Sequence, residues 1–255
     1  MTGGRRRLVT RFGEESWVDV SAGRERQDAR APTEDEHRDV DEHGHVDSAS
    51  TLGVLLADRG DLDGAEEAFR RADAEGDATS ASNLGVLLAE RGDMAGAEEA
   101  FRRADERGHA GAAFNLGVLL AERGDMGAAA QAFQRADERG HSAAPFNLGV
   151  LLAERGDVAA AEAAYRRADE RGDAAGASNL GVLLAERGDT AGAEAAYRRA
   201  DRRGHVTASF NLGVLLAERG DIAGAEAAFW RAREGAQPDV AERATAALGE
   251  LRSGG

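Results

Sequence analysis

Three kinds of residue in this chain have the types and spacing to do chemistry. His37, His43 and His45 stand in an acidic stretch, and imidazole with carboxylate is a donor set for a divalent metal. Glutamate and arginine recur on later segments, as in Glu98, Glu99, Arg102 and Arg103, the raw material of acid–base catalysis or of ion pairs. Asn occupies positions 83, 115, 147, 179 and 211, inside stretches where it needs a hydrogen bond to be tolerated. Each group turns out to belong to a periodic pattern. His45 is in register with His109, His141 and His205, and Asp77 and Asp173 alternate with them. A place that accepts His or Asp just after Gly reads as a helix entry, and no fixed i,i+4 ligand pair accompanies it, so no metal site is assigned. The carboxylates and arginines repeat identically, and no nucleophile, base and orienting group break that symmetry. No catalytic residue and no cofactor is therefore expected, and the chain does not read as an enzyme.

The composition narrows the class further. There is no cysteine, which removes disulfides, thiolate metal sites and cysteine nucleophiles. The net charge of −15 speaks against nucleic acid or an anionic membrane surface as the main partner, since both call for a basic footprint. A protein or peptide partner that is basic or neutral fits better. No apolar run approaches the roughly 20 residues needed to span a bilayer, and Arg5-Arg6-Arg7-Leu8-Val9-Thr10-Arg11 has no signal-peptide core. The expected location is cytoplasmic. All 32 basic residues are arginine, a skew that GC-rich coding produces and that points to a bacterial source.

The elements that must position these residues come from a 32-residue repeat. Asn-Leu-Gly-Val-Leu-Leu-Ala-Glu-Arg-Gly-Asp begins at Asn83, Asn115, Asn147, Asn179 and Asn211, and a variant begins at Thr51. A period of this size signals a solenoid. The first stretch of each unit, such as Ala110 to Arg123, is apolar over most of its circumference and predicts a buried helix A. The second, such as Ala129 to Arg139, shows the narrow stripe Ala129, Phe133, Ala136 and predicts a half-exposed helix B. Its outer face offers the i,i+4 pairs Glu98 with Arg102 and Glu99 with Arg103. Arg-Gly-Asp recurs every 32 residues from Arg59-Gly60-Asp61 to Arg219-Gly220-Asp221, and although the tripeptide resembles an adhesion motif, here Gly ends helix A and Asp caps helix B. Gly53, Gly85, Gly117, Gly149, Gly181 and Gly213 lie inside helix A, where each costs about 1 kcal/mol against Ala. Close approach of the small residues Ala97, Ala129 or Ala161 on helix B is the expected reason.

Leu84-Gly85, Leu88, Gly92, Ala97, Phe101 and Ala104, repeated in six units from about 47 to 234, resemble the tetratricopeptide pattern with its A-x3-F second helix. The tryptophan early in helix A is missing, Leu88 stands where that family has Tyr, and the linker is two residues shorter. The junction Ala104-Asp105-Glu106-Arg107-Gly108-His109-Ala110 is similar to that of Sel1-like repeats. The resemblance implies an all-α, right-handed α-solenoid of six repeats over 45–237, serving as a scaffold or adaptor without catalysis. Before it, 1–32 lacks periodicity and reads as a disordered tail, and 33–44 as a degenerate capping helix with Thr33 and Glu36 as its capping box. After it, 238–252 carries Val240, Ala244, Ala247, Leu248 and Leu251 at helical spacing, a solvating cap for the last apolar face.

In the tetratricopeptide arrangement helix A lines the concave wall. That places three rows there: Ser50, Ser82, Phe114, Phe146, Ser178 and Phe210; a valine in every repeat, including Val118, Val150 and Val214; then Asp58, Glu90, Glu122, Glu154, Glu186 and Glu218. A groove follows for a basic or amphipathic peptide, extended or helical, with apolar anchors and basic flanks. Packing of the phenylalanines against the next repeat is the other reading of that row. Tetratricopeptide domains that clasp a terminal carboxylate also use an Asn before Leu-Gly, but their basic partners are missing here, which leaves inter-repeat hydrogen bonding for the Asn row. Self-association into a homo-oligomer is the alternative function.

Overall fold

The computed structural model describes residues 46–235 and 237–253. The expected tail at 1–32, the degenerate helix at 33–44 and His37, His43 and His45 lie outside them. Among the described residues there are thirteen α-helices and no strand, in two compact units, Met1–His141 and Ser142–Gly255. The first unit holds α1 (Val46–Arg59), α2 (Leu62–Ala74), α3 (Ala78–Glu90), α4 (Met94–Glu106), α5 (Ala110–Glu122) and α6 (Met126–Glu138). The second holds α7 (Ala144–Glu154), α8 (Val158–Glu170), α9 (Ala174–Glu186), α10 (Thr190–Arg202), α11 (Val206–Glu218), α12 (Ile222–Glu234) and α13 (Pro238–Ser253). Odd-numbered helices up to α11 are helix A of a repeat, even-numbered ones helix B. Within a unit each helix A packs on its own helix B and on the helix B before it.

Turn chemistry sets the boundaries. Gly60, Gly92, Gly124, Gly156, Gly188 and Gly220 all have φ between 79° and 88°, a conformation that glycine adopts without a Cβ penalty. At each, the next residue's N–H bonds back into the helix, as when Asp93 donates to the Leu88 carbonyl at 2.9 Å, closing orphan carbonyls in a Schellman-type end. That Asp then accepts from a backbone N–H of helix B, Gly96 to Asp93 at 2.9 Å and Ala128 to Asp125 at 3.0 Å. Gly-Asp is thus a two-residue stop-and-start signal, and the structure gives the Gly and Asp the roles expected of them.

The glycine inside helix A faces an aromatic ring rather than alanine, which corrects the expectation from sequence. A Cβ on Gly117 would lie 2.7 Å from Phe133 Cδ1, and one on Gly149 or Gly181 would lie 2.6 Å from Tyr165 or Tyr197. The residue four beyond the small alanine fills the space, and Phe133 is 0% exposed. Ala97, Ala129 and Ala161, also fully buried, fill the interface elsewhere.

Helix α7 starts two residues later in register than the other A helices. In α3, α5, α9 and α11 the first turn closes through an N–H four residues after the cap, Ala81 to Asp77, Ala113 to His109, Ala177 to Asp173 and Ser209 to His205. The equivalent donor in α7 is Pro145, which has no N–H. Helix α7 therefore begins at Ala144 with Ala143 as a cap that makes no side-chain hydrogen bond, and its first backbone bond is Asn147 to Ala143 at 3.3 Å.

Candidate protein-interaction surface

The three expected rows of helix A differ in what they expose. Phe114 is 4% exposed, with its ring 5.5 Å from Phe133 and stacked 4.3 Å from His141. Phe210 is 8% exposed and lies 5.5 Å from Phe229, with the Arg243 guanidinium 4.2 Å over its face. Phe146 is half-buried, 6.2 Å from Tyr165. Val118 and Val150 are half-buried, whereas Val214 is exposed. Glu90 and Glu122 in the first unit, and Glu154, Glu186 and Glu218 in the second, are all exposed. Within each unit the carboxylates meet solvent beside valines that are at least partly exposed, and the Phe114 and Phe210 rings lie beneath. Burial pushes the Tyr165 and Tyr197 hydroxyls up, and the charges of Glu154 and Glu186 add to it. Burial likewise pushes the Glu122 carboxyl up.

Charge on the other side is consumed between repeats. Asp73 is gripped by Arg103 and Arg107 of the next repeat, each at 2.6 Å. Asp105 is held the same way by Arg135 at 2.6 Å and by Arg139, and Asp169 by Arg199 and Arg203 at 2.6 Å. Burial alone would raise Asp105 and Asp169, but hydrogen bonds from their two arginines outweigh it and hold both below the usual carboxylate range. A second ladder ties Glu66 to Arg91 at 2.5 Å, Glu98 to Arg123 at 2.6 Å and Glu162 to Arg187 at 2.6 Å. Glu98 also takes Arg102 at 2.5 Å, the expected i,i+4 pair. Arg103 does not complete the companion pair with Glu99, because its guanidinium is turned to the buried carboxylate of Asp73. Reading helix B in isolation missed these clamps. The signal was there as an Asp followed 30 and 34 residues later by Arg, two positions either side of the repeat length.

The helix-entry row contains both kinds of cap. Asp77 accepts from Thr79 and Ser80, and Asp173 from Gly176. His109 accepts from Ala112 through Nδ1 at 3.0 Å, and His205 from Ala208 at 3.2 Å. No group of three or more metal-ligating side chains occurs among the described residues. The Asn row is not uniform. Asn179 hydrogen-bonds to the Tyr165 side chain of the preceding repeat, whereas Asn147 donates to Ala143 O at 3.1 Å, four residues back in its own helix.

A model of the tetratricopeptide repeat matches residues 50–109, 83–145, 138–177, 147–205 and 178–241. That is well over half of the 255 residues, and the chain belongs to the tetratricopeptide repeat family. Its repeats form a scaffold of the kind that mediates protein–protein interaction. No curated protein matches the chain. Among solved structures it is similar to c5321, a protective antigen of uropathogenic Escherichia coli strains displaying an SLR fold, at 24% identity and a TM-score of 0.65. That likeness covers 86% of this chain and 51% of the antigen, so the chain spans about half its length. A Sel1 repeat protein from Oxalobacter formigenes matches at 24% identity and a TM-score of 0.61, over 80% of this chain and 90% of that one. YrrB, described as a tetratricopeptide protein with an unusual peptide-binding site, matches at 22% identity and 0.54, over 73% and 99%. These likenesses concern the fold. No described helix is long and apolar enough to cross a membrane.

Proposed function

We propose that the helix-A face of this protein holds a segment of a partner protein in which apolar side chains are flanked by basic ones. The observation that carries this reading is the division of charge. Arg103, Arg135 and Arg199 are taken up by buried aspartates of the preceding repeat, while Glu90, Glu122, Glu154, Glu186 and Glu218 stay exposed beside valines. In the second unit Phe210, Val214 and Glu218 meet Ile222, Arg243 and Leu251 around an open cavity of about 650 Å³, within the roughly 300–1,000 Å³ of ligand sites. Glu218 and Glu250 also line it, and Arg243 lies over the Phe210 ring. The peptide-binding site for which YrrB is described supports the class of ligand, not its residues.

The test is fluorescence anisotropy with a labelled peptide alternating leucine and arginine, against its glutamate-for-arginine counterpart. Val214→Asp with Glu218→Arg should weaken binding at least tenfold and leave the melting temperature in place, since both side chains are exposed. Unchanged affinity refutes the assignment of this face. Truncating Phe114 or Phe210 is no substitute, because removing a buried ring costs about 3–5 kcal/mol of stability.

A second reading, association of two copies, has its own observation. The first residue of helix B is an exposed apolar side chain at Leu62, Met94, Val158 and Ile222, 37–50% exposed. Light scattering at rising concentration separates the two, and a strict monomer removes this one.

A further inference from the structure

We propose that His109 and His205 make the entries of α5 and α11 proton-sensitive joints, held closed by the neutral imidazole and opened when it takes up a proton. In each, Nδ1 accepts the backbone N–H three residues on, Ala112 at 3.0 Å and Ala208 at 3.2 Å. A ring nitrogen accepts only while unprotonated, and the imidazolium donates from both. Protonation therefore removes the cap and sets a positive charge at the positive end of a helix dipole. Both effects act in the same direction.

The groups packed around each ring do not reverse it. His109 faces Asp77 at the entry of α3, together with Arg107, whose guanidinium bonds the Asp77 carbonyl at 3.4 Å and the Asp73 carboxylate at 2.6 Å. His205 faces Asp173, with Arg203 on the Asp173 carbonyl at 3.3 Å, and Asp201 nearby, bound by Ser209 at 2.5 Å and by Arg231. The Asp77 and Asp173 carboxylates favour the imidazolium, but burial is the larger influence and holds both rings below the ordinary histidine range. A lowered folded value means that the caps contribute in full above about pH 6.5, the unfolded value, and that the contribution is lost as pH falls below it. Asp77 and Asp173 cap α3 and α9 with carboxylates, and Asp77 is held below its usual range: burial raises it and hydrogen bonds led by Ser80 lower it further. That entry does not titrate in the same window.

The alternation of His and Asp thus sorts the repeats. Histidine caps α5 and α11, which carry Phe114 and Phe210, while aspartate caps α3 and α9, which carry Ser82 and Ser178. Mild acidification loosens α5 and α11 and spares α3 and α9, whose caps are carboxylates. Any effect on a bound peptide rests on the groove reading above, whereas the joint itself does not.

The experiment is an NMR pH titration of the full chain from 7.5 to 5.5, following the imidazole signals and amide exchange corrected for its intrinsic pH dependence. Both rings should titrate below about 6.5. Opening at Ala112 and Ala208 should rise about fivefold, the ratio that one lost cap carries, with Ser80 and Gly176 unmoved. In His109→Asp with His205→Asp, which keeps a cap at both places, the fall in melting temperature between pH 7.5 and 5.5 should shrink by at least half. Rings that titrate at or above 6.5, or an equal fall in both proteins, overturn the proposal. Leucine–arginine peptide affinity, measured in parallel, isolates the groove: amides that open while affinity holds leave the joint standing and remove the groove from α5 and α11.

Discussion

The helix-B seam and the helix-A face of the same repeats use the same residue types and treat charge in opposite ways. At the seam Asp73, Asp105 and Asp169 are buried, each held by two arginines from the next repeat. On the face, Glu90, Glu122, Glu154, Glu186 and Glu218 stand exposed. A buried carboxylate must be paired or it destabilises the fold, while an exposed one costs nothing and remains available to a ligand. A composition with more acid than base can thus yield a stitched scaffold and an acidic face at once.

The contrast breaks most visibly at the seam. Arg135→Ala with Arg139→Ala strands the 5% exposed Asp105 side chain, and urea denaturation should show a loss of about 2–3 kcal/mol, moderated because both guanidiniums reach solvent. The same variant should flatten the acid limb of stability. The folded Asp105 lies below its usual range, so its contribution is present above about pH 3.9 and lost as pH falls. The inward side of helix A comes next. Gly117→Val drives a side chain into Phe133, with Cβ at 2.7 Å from Cδ1, and should cost about 2 kcal/mol by overpacking, read as a lower melting temperature. An unchanged melting curve would show that the ring is not what requires glycine. The outward side should be almost silent in stability. Glu90→Gln with Glu122→Gln should stay within about 0.5 kcal/mol of the parent in the same urea experiment, and a larger loss would mean that these carboxylates belong to the scaffold.

Some of this was legible residue by residue. Gly60-Asp61 and its five counterparts announce a helix stop and start in two residues, because positive φ and a carboxylate cap are local requirements. His109 and Asp77 declare the same entry for the same reason. The partner of Gly117 was not legible: which atom of helix B lies opposite depends on helix crossing, and Ala129 and Phe133 share one stripe. Arg103 was assigned to Glu99 by helix periodicity and belongs to Asp73, since a buried carboxylate attracts a guanidinium more strongly than an exposed neighbour does. Pro145 is accommodated early in α7 because that helix starts two residues later than its counterparts. The phenylalanine row was left between groove and packing, and Phe114 and Phe210 lie beneath the surface where the valines and glutamates meet solvent.

What the sequence determined by itself is the period, the helices, their ends and the repeat family, because turns, caps and amphipathic stripes are short-range and recur in every unit. Only the tertiary structure decided which charges are buried between repeats and which stay exposed. A repeat of 32 residues places an arginine 30 or 34 positions away against a buried aspartate, and burial, unlike spacing, is a property of the assembled stack.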